Sequence, residues 1–243
     1  MSLLLTGERT VPGIVAENYW FRRHEAAYLN LAGHCAGAVV LEAGCGEGYG
    51  AATIAREAAE VVALDYDAHT IAHVRRTYPA LRAVRGNLAA LPLRAGAVDV
   101  VASLQVVEHL WDQGGFLDEC RRVLRPGGKL LLTTPNRITF SPGRDTPLNP
   151  FHTRELDARE LGDLLSRAGF RVVARAGLRH GPRLRDLDHR FGGSLVDAQL
   201  AVVDDRWPAD LLAAVGSVTA ADFVIDPDDV GTSLDLVAVA VRP

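Results

Sequence analysis

The stretch LEAGCGEGYG, residues 41–50, places four glycines within seven positions, directly behind the apolar residues AVV at 38–40. A buried strand followed by a glycine-rich turn is typical of a site where the backbone approaches a ligand at the carboxyl edge of a parallel sheet. A plain tight turn is the alternative. The dinucleotide fingerprint needs a third glycine where this chain has Tyr49, so the pattern favours a ligand other than a dinucleotide.

Apolar strands alternate with helices on both sides of this turn. This alternation predicts an α/β fold, in which helices cover both faces of a parallel sheet, as a single domain over residues 1–243. The predicted strands lie within residues 38–44, 60–67, 81–88, 97–110, 129–136, 171–178 and 233–243, and the segment 97–110 runs from a strand into a turn.

Two further segments are predicted to cover the site. The helical segment 16–32 carries Tyr19, Trp20 and Phe21, and we interpret residues 1–30 as a lid, with a core-packing cluster as the alternative. The connection 179–232 is too long for a simple turn. We therefore expect it to form a cap on the acceptor side, although a solvated charged surface is an equal alternative.

Composition and charge exclude several function classes. The chain has 243 residues, 48% of them hydrophobic, and a formal net charge of −4, which argues against a general nucleic-acid-binding protein. Its three cysteines show no C-x-x-C spacing, so we expect neither a zinc site nor a disulfide framework. Without a signal-peptide pattern or an apolar run of ~20 residues, we expect a cytoplasmic protein with no stable membrane insertion.

Five segments, in order along the chain, resemble the motifs of the class I S-adenosylmethionine (SAM)-dependent methyltransferases. They are VLEAGCGEGYG (40–50), ALDYD (63–67), GNLAALPL (86–93), AVDVVASLQVVEHL (97–110) and VLRPGGKLLLTTPN (123–136). The resemblance implies a Rossmann-like fold with a seven-stranded, mostly parallel sheet whose last strand is antiparallel. It also implies SAM as the cofactor and a methyltransferase activity.

The same resemblance assigns the cofactor contacts. Asp65 ends the second predicted strand about 20 residues after the glycine turn, where a carboxylate accepts the hydroxyls of a ribose. Asn87 stands where the family usually has aspartate, beside the adenine, and an amide can still take part in a hydrogen bond there. The predicted cofactor-binding residues are Glu42, Gly44, Cys45, Gly46, Asp65, Tyr66, Asn87, Leu88 and Gln105.

Four segments extend the resemblance to the mycobacterial methyltransferases assigned to 6-O-methylglucose lipopolysaccharide (MGLP) biosynthesis. They are residues 6–28, 105–113, 133–156 and 181–199. This implies a sugar O-methyltransferase acting on a glucose-based polysaccharide or its oligosaccharide precursor. The alternatives are another acceptor, such as a small phenol, a quinone precursor or an RNA 3′ end, and a non-catalytic SAM-binding protein. The sequence does not indicate an oligomeric state.

Three residues are candidates for the chemistry. Glu108 and His109 follow the fourth predicted strand and His152 follows the fifth, so they are expected to meet at the carboxyl edge. Together they could bind a divalent cation, Mg²⁺ or Mn²⁺, or one histidine could act as the general base. Gln105 replaces the first carboxylate of the E-x-x-E-H pattern of some metal-dependent methyltransferases. A helix-capping role for Glu108 and His109 is the alternative.

The other histidines are weaker candidates. His24 lies in the segment predicted to cover the SAM pocket. His69 and His73 are predicted on the solvent face of a helix. His180 and His189 lie in the long connection, in the segment GLRHGPRLRDLDHRFGGS (177–194). The polar side chains of this segment suit a hydroxyl-rich ligand; they are Arg183, Arg185, Asp186 and Asp188.

Overall fold

A computed structural model describes residues 9–243. The strands are β1 (Val39–Ala43), β2 (Glu60–Asp65), β3 (Arg82–Arg85), β4 (Val98–Leu104), β5 (Leu124–Pro135), β6 (Arg171–His180), β7 (Phe223–Asp226) and β8 (Asp235–Val241). The α-helices are α1 (Asn18–Leu31), α2 (Tyr49–Ile54), α3 (Ala68–Thr77), α4 (Gln113–Val123), α5 (Arg137–Phe140), α6 (Ala158–Arg167), α7 (Pro182–Arg190), α8 (Leu195–Leu200) and α9 (Ala209–Gly216).

The strands form one mixed sheet in the order β3-β2-β1-β4-β5-β8-β6-β7. Strands β1 to β5 pair in parallel, and β8 runs antiparallel to both β5 and β6, which confirms the predicted direction of the last strand. The sheet has eight strands and not the predicted seven. The additional strand is β7, which pairs antiparallel with β6 at the sheet edge inside the connection predicted as a cap.

Side chains of the central strands alternate between two apolar layers. Val40 on β1 packs in the layer that holds α1, α2 and α3, whereas Leu41 packs against α4 and α6 on the opposite face. Both faces are buried, which explains the nearly continuous apolar sequence of these strands. The segment 179–232 contributes α7, α8 and α9 to the first layer.

Helix α1 is fastened to the sheet by a buried ion pair. The Arg23 guanidinium donates from Nε to Asp235 Oδ2 over 2.8 Å and from Nη2 to Asp235 Oδ1 over 2.6 Å, at the start of β8. A third bond runs from Nη2 to the Leu234 carbonyl over 2.9 Å. Asn18 ties the start of the same helix to the Val215 and Val218 carbonyls. Helix α1 and the 179–232 segment are therefore joined to one another and to the sheet.

Helix α2 is short and ends at Ile54. Helix α4 ends at Val123, and the Pro-Gly-Gly sequence that follows belongs to the first part of β5. No helix within residues 9–243 is both long enough and apolar enough to cross a membrane.

Candidate active site

The glycine-rich turn leaves β1 at the carboxyl edge and is held there by Asp65, the last residue of β2. The Gly46 amide donates to Asp65 Oδ2 and the Asp67 amide to Oδ1, each over 3.0 Å. Gly46 has a φ of +50°, and a methyl group built on it would meet no atom within 4 Å. A carboxylate offers about four lone-pair sites, so Asp65 retains acceptor capacity for a further ligand.

A buried carboxylate lies behind this turn. Glu42 is 1% exposed, and neither of its oxygens has a hydrogen bond of normal geometry to residues 9–243. Burial raises the pKa of Glu42 to about 8, although the nearby Tyr28 hydroxyl and Ala51 amide act in the opposite direction. A buried acid without full hydrogen bonding is suited to a positively charged ligand group at the turn.

Glu108, His109 and His152 meet at the same edge of the sheet, as the sequence predicts. One ligand atom from each lies within 4.8 Å of the others, and the two imidazole rings stand nearly perpendicular, with centroids 4.8 Å apart. Glu108 and His109 belong to a short 3-10 helix, Val107–His109, just after β4. The loop carrying His152 is joined to it because the Thr153 amide donates to the Glu108 carbonyl over 2.8 Å.

Both imidazoles are oriented through their Nδ1 atoms. His109 Nδ1 donates to the Phe151 carbonyl over 3.0 Å, and His152 Nδ1 donates to Glu155 Oε1 over 2.7 Å. In the neutral rings these bonds place the proton on Nδ1 and the lone pair on Nε2. Metal-ligating histidines almost always have a carbonyl or carboxylate partner of this kind, and general bases need the same orientation.

Glu108 is a buried member of this group, in an environment that disfavours its ionised form. Its side chain is buried and accepts a hydrogen bond from Thr134 Oγ1 over 3.0 Å. Burial raises the pKa of Glu108 to about 8, outweighing the hydrogen bonds that favour the ionised form. This environment suits either a neutral carboxyl or a carboxylate balanced by a cation.

These groups line a cavity of about 1060 Å³. Its volume is at the upper end of the ~300–1,000 Å³ of typical ligand pockets, so it has room for a cofactor's reactive end and an acceptor together. Aromatic side chains of Trp20, Phe140 and Phe151 line the cavity together with charged groups from helix α1 and from the 179–232 segment. Gln105, the residue after β4, also lines the cavity and has a left-handed φ of +57°.

Comparison with known proteins identifies the family. Residues 41–132 match the family model described as a methyltransferase domain. A Mycolicibacterium smegmatis protein named "Probable S-adenosylmethionine-dependent methyltransferase" is 60% identical over all of this chain and 96% of its own length. A Mycobacterium tuberculosis protein of the same description is 58% identical over 99% of the chain and 90% of its own length.

The chain belongs to the SAM-dependent methyltransferases. Solved structures agree on the fold at low sequence identity. A SAM-dependent methyltransferase from Mesorhizobium loti superposes with a TM-score of 0.58 at 16% identity, covering 90% of this chain and 98% of that one. The 1,6-didemethyltoxoflavin-N1-methyltransferase of Burkholderia thailandensis, bound to S-adenosylhomocysteine, has a TM-score of 0.56 at 18% identity, covering 91% and 78%.

The predicted cofactor residues of this methyltransferase fit SAM, which carries a ribose, an adenine and a cationic methionine part. Asp65 and the open side of Gly46 lie at the turn, with Glu42 behind it. Gly44 precedes Cys45, whose buried thiol has a raised pKa and is therefore no nucleophile. The remaining predicted contacts are exposed Tyr66, exposed Asn87, buried Leu88 and half-buried Gln105.

Four other histidines of the methyltransferase lie in different environments. His24 and His180 line the cavity, and burial lowers the pKa of His24 to about 4. His69 is exposed, as predicted. The prediction of a solvent-facing His73 was wrong: its Nε2 contacts Glu47 Oε1 over 2.5 Å, and both side chains are largely buried.

Sequence reasoning missed two buried partners of the predicted site. Glu155 orients His152 and is 3% exposed. The H-x-x-E spacing of residues 152–155 was the available signal, because residues three apart in a turn face each other. Thr134, which bonds to Glu108, had no such signal, since it comes from a neighbouring strand.

Proposed function

We propose that this enzyme transfers the methyl group of SAM to a sugar hydroxyl of a glucose-based polysaccharide or its oligosaccharide precursor. The observation that carries the proposal is the large cavity that holds Glu108, His109 and His152 at its carboxyl-edge wall. Other charged and amide groups that line the cavity suit a hydroxyl-rich acceptor. The resemblance of four segments to the MGLP-assigned methyltransferases supports the same acceptor class.

The reaction requires alignment of the acceptor oxygen and removal of its proton. The oxygen attacks the methyl carbon of SAM, the carbon–sulfur bond breaks, and the products are the methyl ether, S-adenosylhomocysteine and a proton. Nε2 of His109 or His152 accepts that proton. Their Nδ1 bonds to the Phe151 carbonyl and Glu155 keep the lone pair on Nε2 and fix the direction of the ring.

The same three side chains would hold a divalent cation through the Glu108 carboxylate and the Nε2 atoms of both histidines. Such a cation, Mg²⁺ or Mn²⁺, would lower the pKa of the acceptor hydroxyl. Mg²⁺ prefers oxygen ligands, so two imidazoles favour Mn²⁺. The buried, raised-pKa carboxyl of Glu108 and the hydrogen-bonded Nδ1 atoms are the observations that fit this role.

For the cofactor, we propose that Asp65 binds the ribose hydroxyls and that Asn87 and Leu88 frame the adenine. Glu42 and the amides near Gly46 then face the methionine part, whose amino group is positively charged. For transfer to an acceptor in the cavity, the methyl group would have to enter the cavity, which Gln105 also lines.

A second acceptor class is a planar ring such as a phenol or quinone precursor. Trp20 and Phe140, with ring centroids 6.4 Å apart at the cavity wall, are the observation that favours it. A Xanthomonas oryzae protein named ubiquinone biosynthesis O-methyltransferase is 34% identical over 42% of this chain and 45% of its own length. The net charge of −4 disfavours an RNA 3′ end.

A methyl-transfer assay with labelled SAM tests the proposal against glucose oligosaccharides, phenols and short RNAs. We expect transfer to the saccharides only. His109→Ala and His152→Ala should each lose about 10²–10⁴-fold in turnover while retaining SAM affinity. His189→Ala is the matched control, because His189 is exposed and does not line the cavity.

The role of the cation is tested separately. A chelator that abolishes transfer without affecting SAM binding, with recovery on addition of Mn²⁺ or Mg²⁺, supports the cation. Transfer that survives the chelator assigns the role to a histidine base alone. Full activity in both histidine variants would exclude this site.

A further inference from the structure

Three side chains joined by hydrogen bonds link helix α1 to the 179–232 segment. The Tyr19 hydroxyl lies 2.6 Å from His180 Nε2, and His180 Nδ1 lies 2.6 Å from Asp188 Oδ2. The other Asp188 oxygen, Oδ1, accepts the Leu195 amide over 2.8 Å at the start of α8. The three groups come from α1, the end of β6 and α7, so these hydrogen bonds span the junction of lid, sheet and cap.

The chemistry of the three side chains determines which atom donates in each of these hydrogen bonds. A carboxylate only accepts, so His180 donates through Nδ1–H to Asp188. Burial lowers the pKa of His180, and in the neutral ring Nε2 carries the lone pair and accepts from the hydroxyl of Tyr19, a residue with no exposed surface. Both His180 nitrogens are thus engaged, which leaves this imidazole unsuited to act as the general base. Its role is to hold the Asp188 carboxylate in one orientation.

Asp188 faces the proposed acceptor space. His180 ends β6 at the sheet edge that also carries the glycine turn, and both His180 and Asp188 line the cavity. The Asp188 side chain is 20% exposed, and two accepted bonds leave about two of its lone-pair sites for a ligand. Among residues 9–243, only Glu108, His109 and His152 are placed to share a metal ion, so Asp188 is not a member of a metal cluster.

We propose that Asp188 binds hydroxyl groups of the acceptor sugar, and that Tyr19 and His180 are positioning residues for its carboxylate. The proposal rests on the proposed saccharide O-methylation and adds a binding subsite to it. A carboxylate fixed on two sides presents its remaining lone pairs in a set direction, which matches the paired hydroxyls of a sugar ring. Charge-assisted hydrogen bonds of this kind are about twice as strong as neutral ones.

Asp188→Asn is the main test variant, and Asp186→Asn is the matched control. Asp186 lies on the same helix, is exposed and does not line the cavity. With a glucose oligosaccharide, Asp188→Asn should raise KM about 10-fold to 100-fold, the factor typical of lost bonds to a charged group. We expect kcat and calorimetric SAM affinity to change by less than about 3-fold. Asp186→Asn should leave all three unchanged.

Tyr19→Phe tests the positioning role, because it removes the hydroxyl and keeps the ring packing. We expect a smaller rise in KM, about 3-fold to 5-fold, and no further rise when it is added to Asp188→Asn, because both changes act through one carboxylate. A merely structural role would instead lower kcat and SAM affinity together and give additive losses.

Deoxy-sugar acceptors provide a second test in the unaltered enzyme: loss of one contacted hydroxyl should raise KM.

The outcomes separate this subsite from the function on which it rests. Saccharide methylation with an unchanged KM in folded Asp188→Asn overturns the subsite and leaves the function standing. Equal KM for every deoxy-sugar overturns it as well, even where Asp188→Asn does not fold. If the unaltered enzyme methylates no saccharide, the proposed function fails and the subsite fails with it.

Discussion

Replacing Arg23 by methionine should destabilise the protein strongly, because it leaves the Asp235 carboxylate buried without its partner. The two side chains are 3% and 2% exposed and share two short hydrogen bonds. Removing one partner of a buried pair typically costs about 3–5 kcal/mol. For a domain of this size, about 2–4 °C is lost per kcal/mol, which gives a decrease in Tm of roughly 6–20 °C.

The adjacent residue provides the control. Arg22 also forms an ion pair, with Glu25 over 2.6 Å, but its side chain is 35% exposed. Arg22→Met should therefore cost no more than about 1 kcal/mol. Urea denaturation of the cofactor-free protein, followed by circular dichroism, measures both variants. A cost for Arg23→Met below about 1 kcal/mol, or equal to that of Arg22→Met, would refute the reasoning that burial makes this pair essential.

Three further predictions concern the cofactor site. Gly46→Ala should weaken SAM binding more than 10-fold, because its methyl group would occupy space next to the ligand. Gly37→Ala is the control, since Gly37 also has a positive φ and open space around it, and this variant should bind SAM normally. Equal SAM affinities of the two variants in calorimetry would contradict the prediction. Asp65→Ala should lose on the order of 2–3 kcal/mol of SAM affinity, and unchanged affinity in the folded variant would remove Asp65 from the ribose site. Glu42 has a folded pKa of about 8 against an ordinary 4.5, so the folded state keeps a proton that the unfolded state releases. Without SAM, the free energy of unfolding of the natural protein should therefore fall relative to that of Glu42→Gln as pH rises from about 4.5 to 8, by up to ~1.4 kcal/mol per pH unit. The same pH dependence for both proteins in urea denaturation would contradict this prediction.

The parts of the fold that local sequence determines were predictable. Continuous apolar strands and the glycine turn after β1 were found from periodicity and composition. Strand β7 was missed because its four residues, FVID, carry no alternation long enough to distinguish them from a loop. Its pairing with β6 depends on a partner more than 40 residues earlier in the chain.

The candidate site also combines features that sequence position predicts with contacts that depend on tertiary packing. The convergence of Glu108, His109 and His152 followed from their positions after neighbouring strands of one sheet. The burial of His73 against Glu47 did not, because it depends on how α3 packs on the glycine turn. The Tyr19–His180 bond joins residues 161 positions apart, and no local pattern connects them.

The sheet order has a consequence for synthesis on the ribosome. Strand β8 inserts between β5 and β6, although both of those strands leave the ribosome before it. Arg23 can pair with Asp235 only after 212 further residues have been synthesised, and their synthesis takes roughly 10–40 s at typical rates of chain elongation. From the emergence of β6 until β8 follows it, the nascent chain displays the unpaired edges of β5 and β6, the kind of edge on which other chains aggregate. Nascent molecules of this methyltransferase are thus most vulnerable just before the final strand emerges.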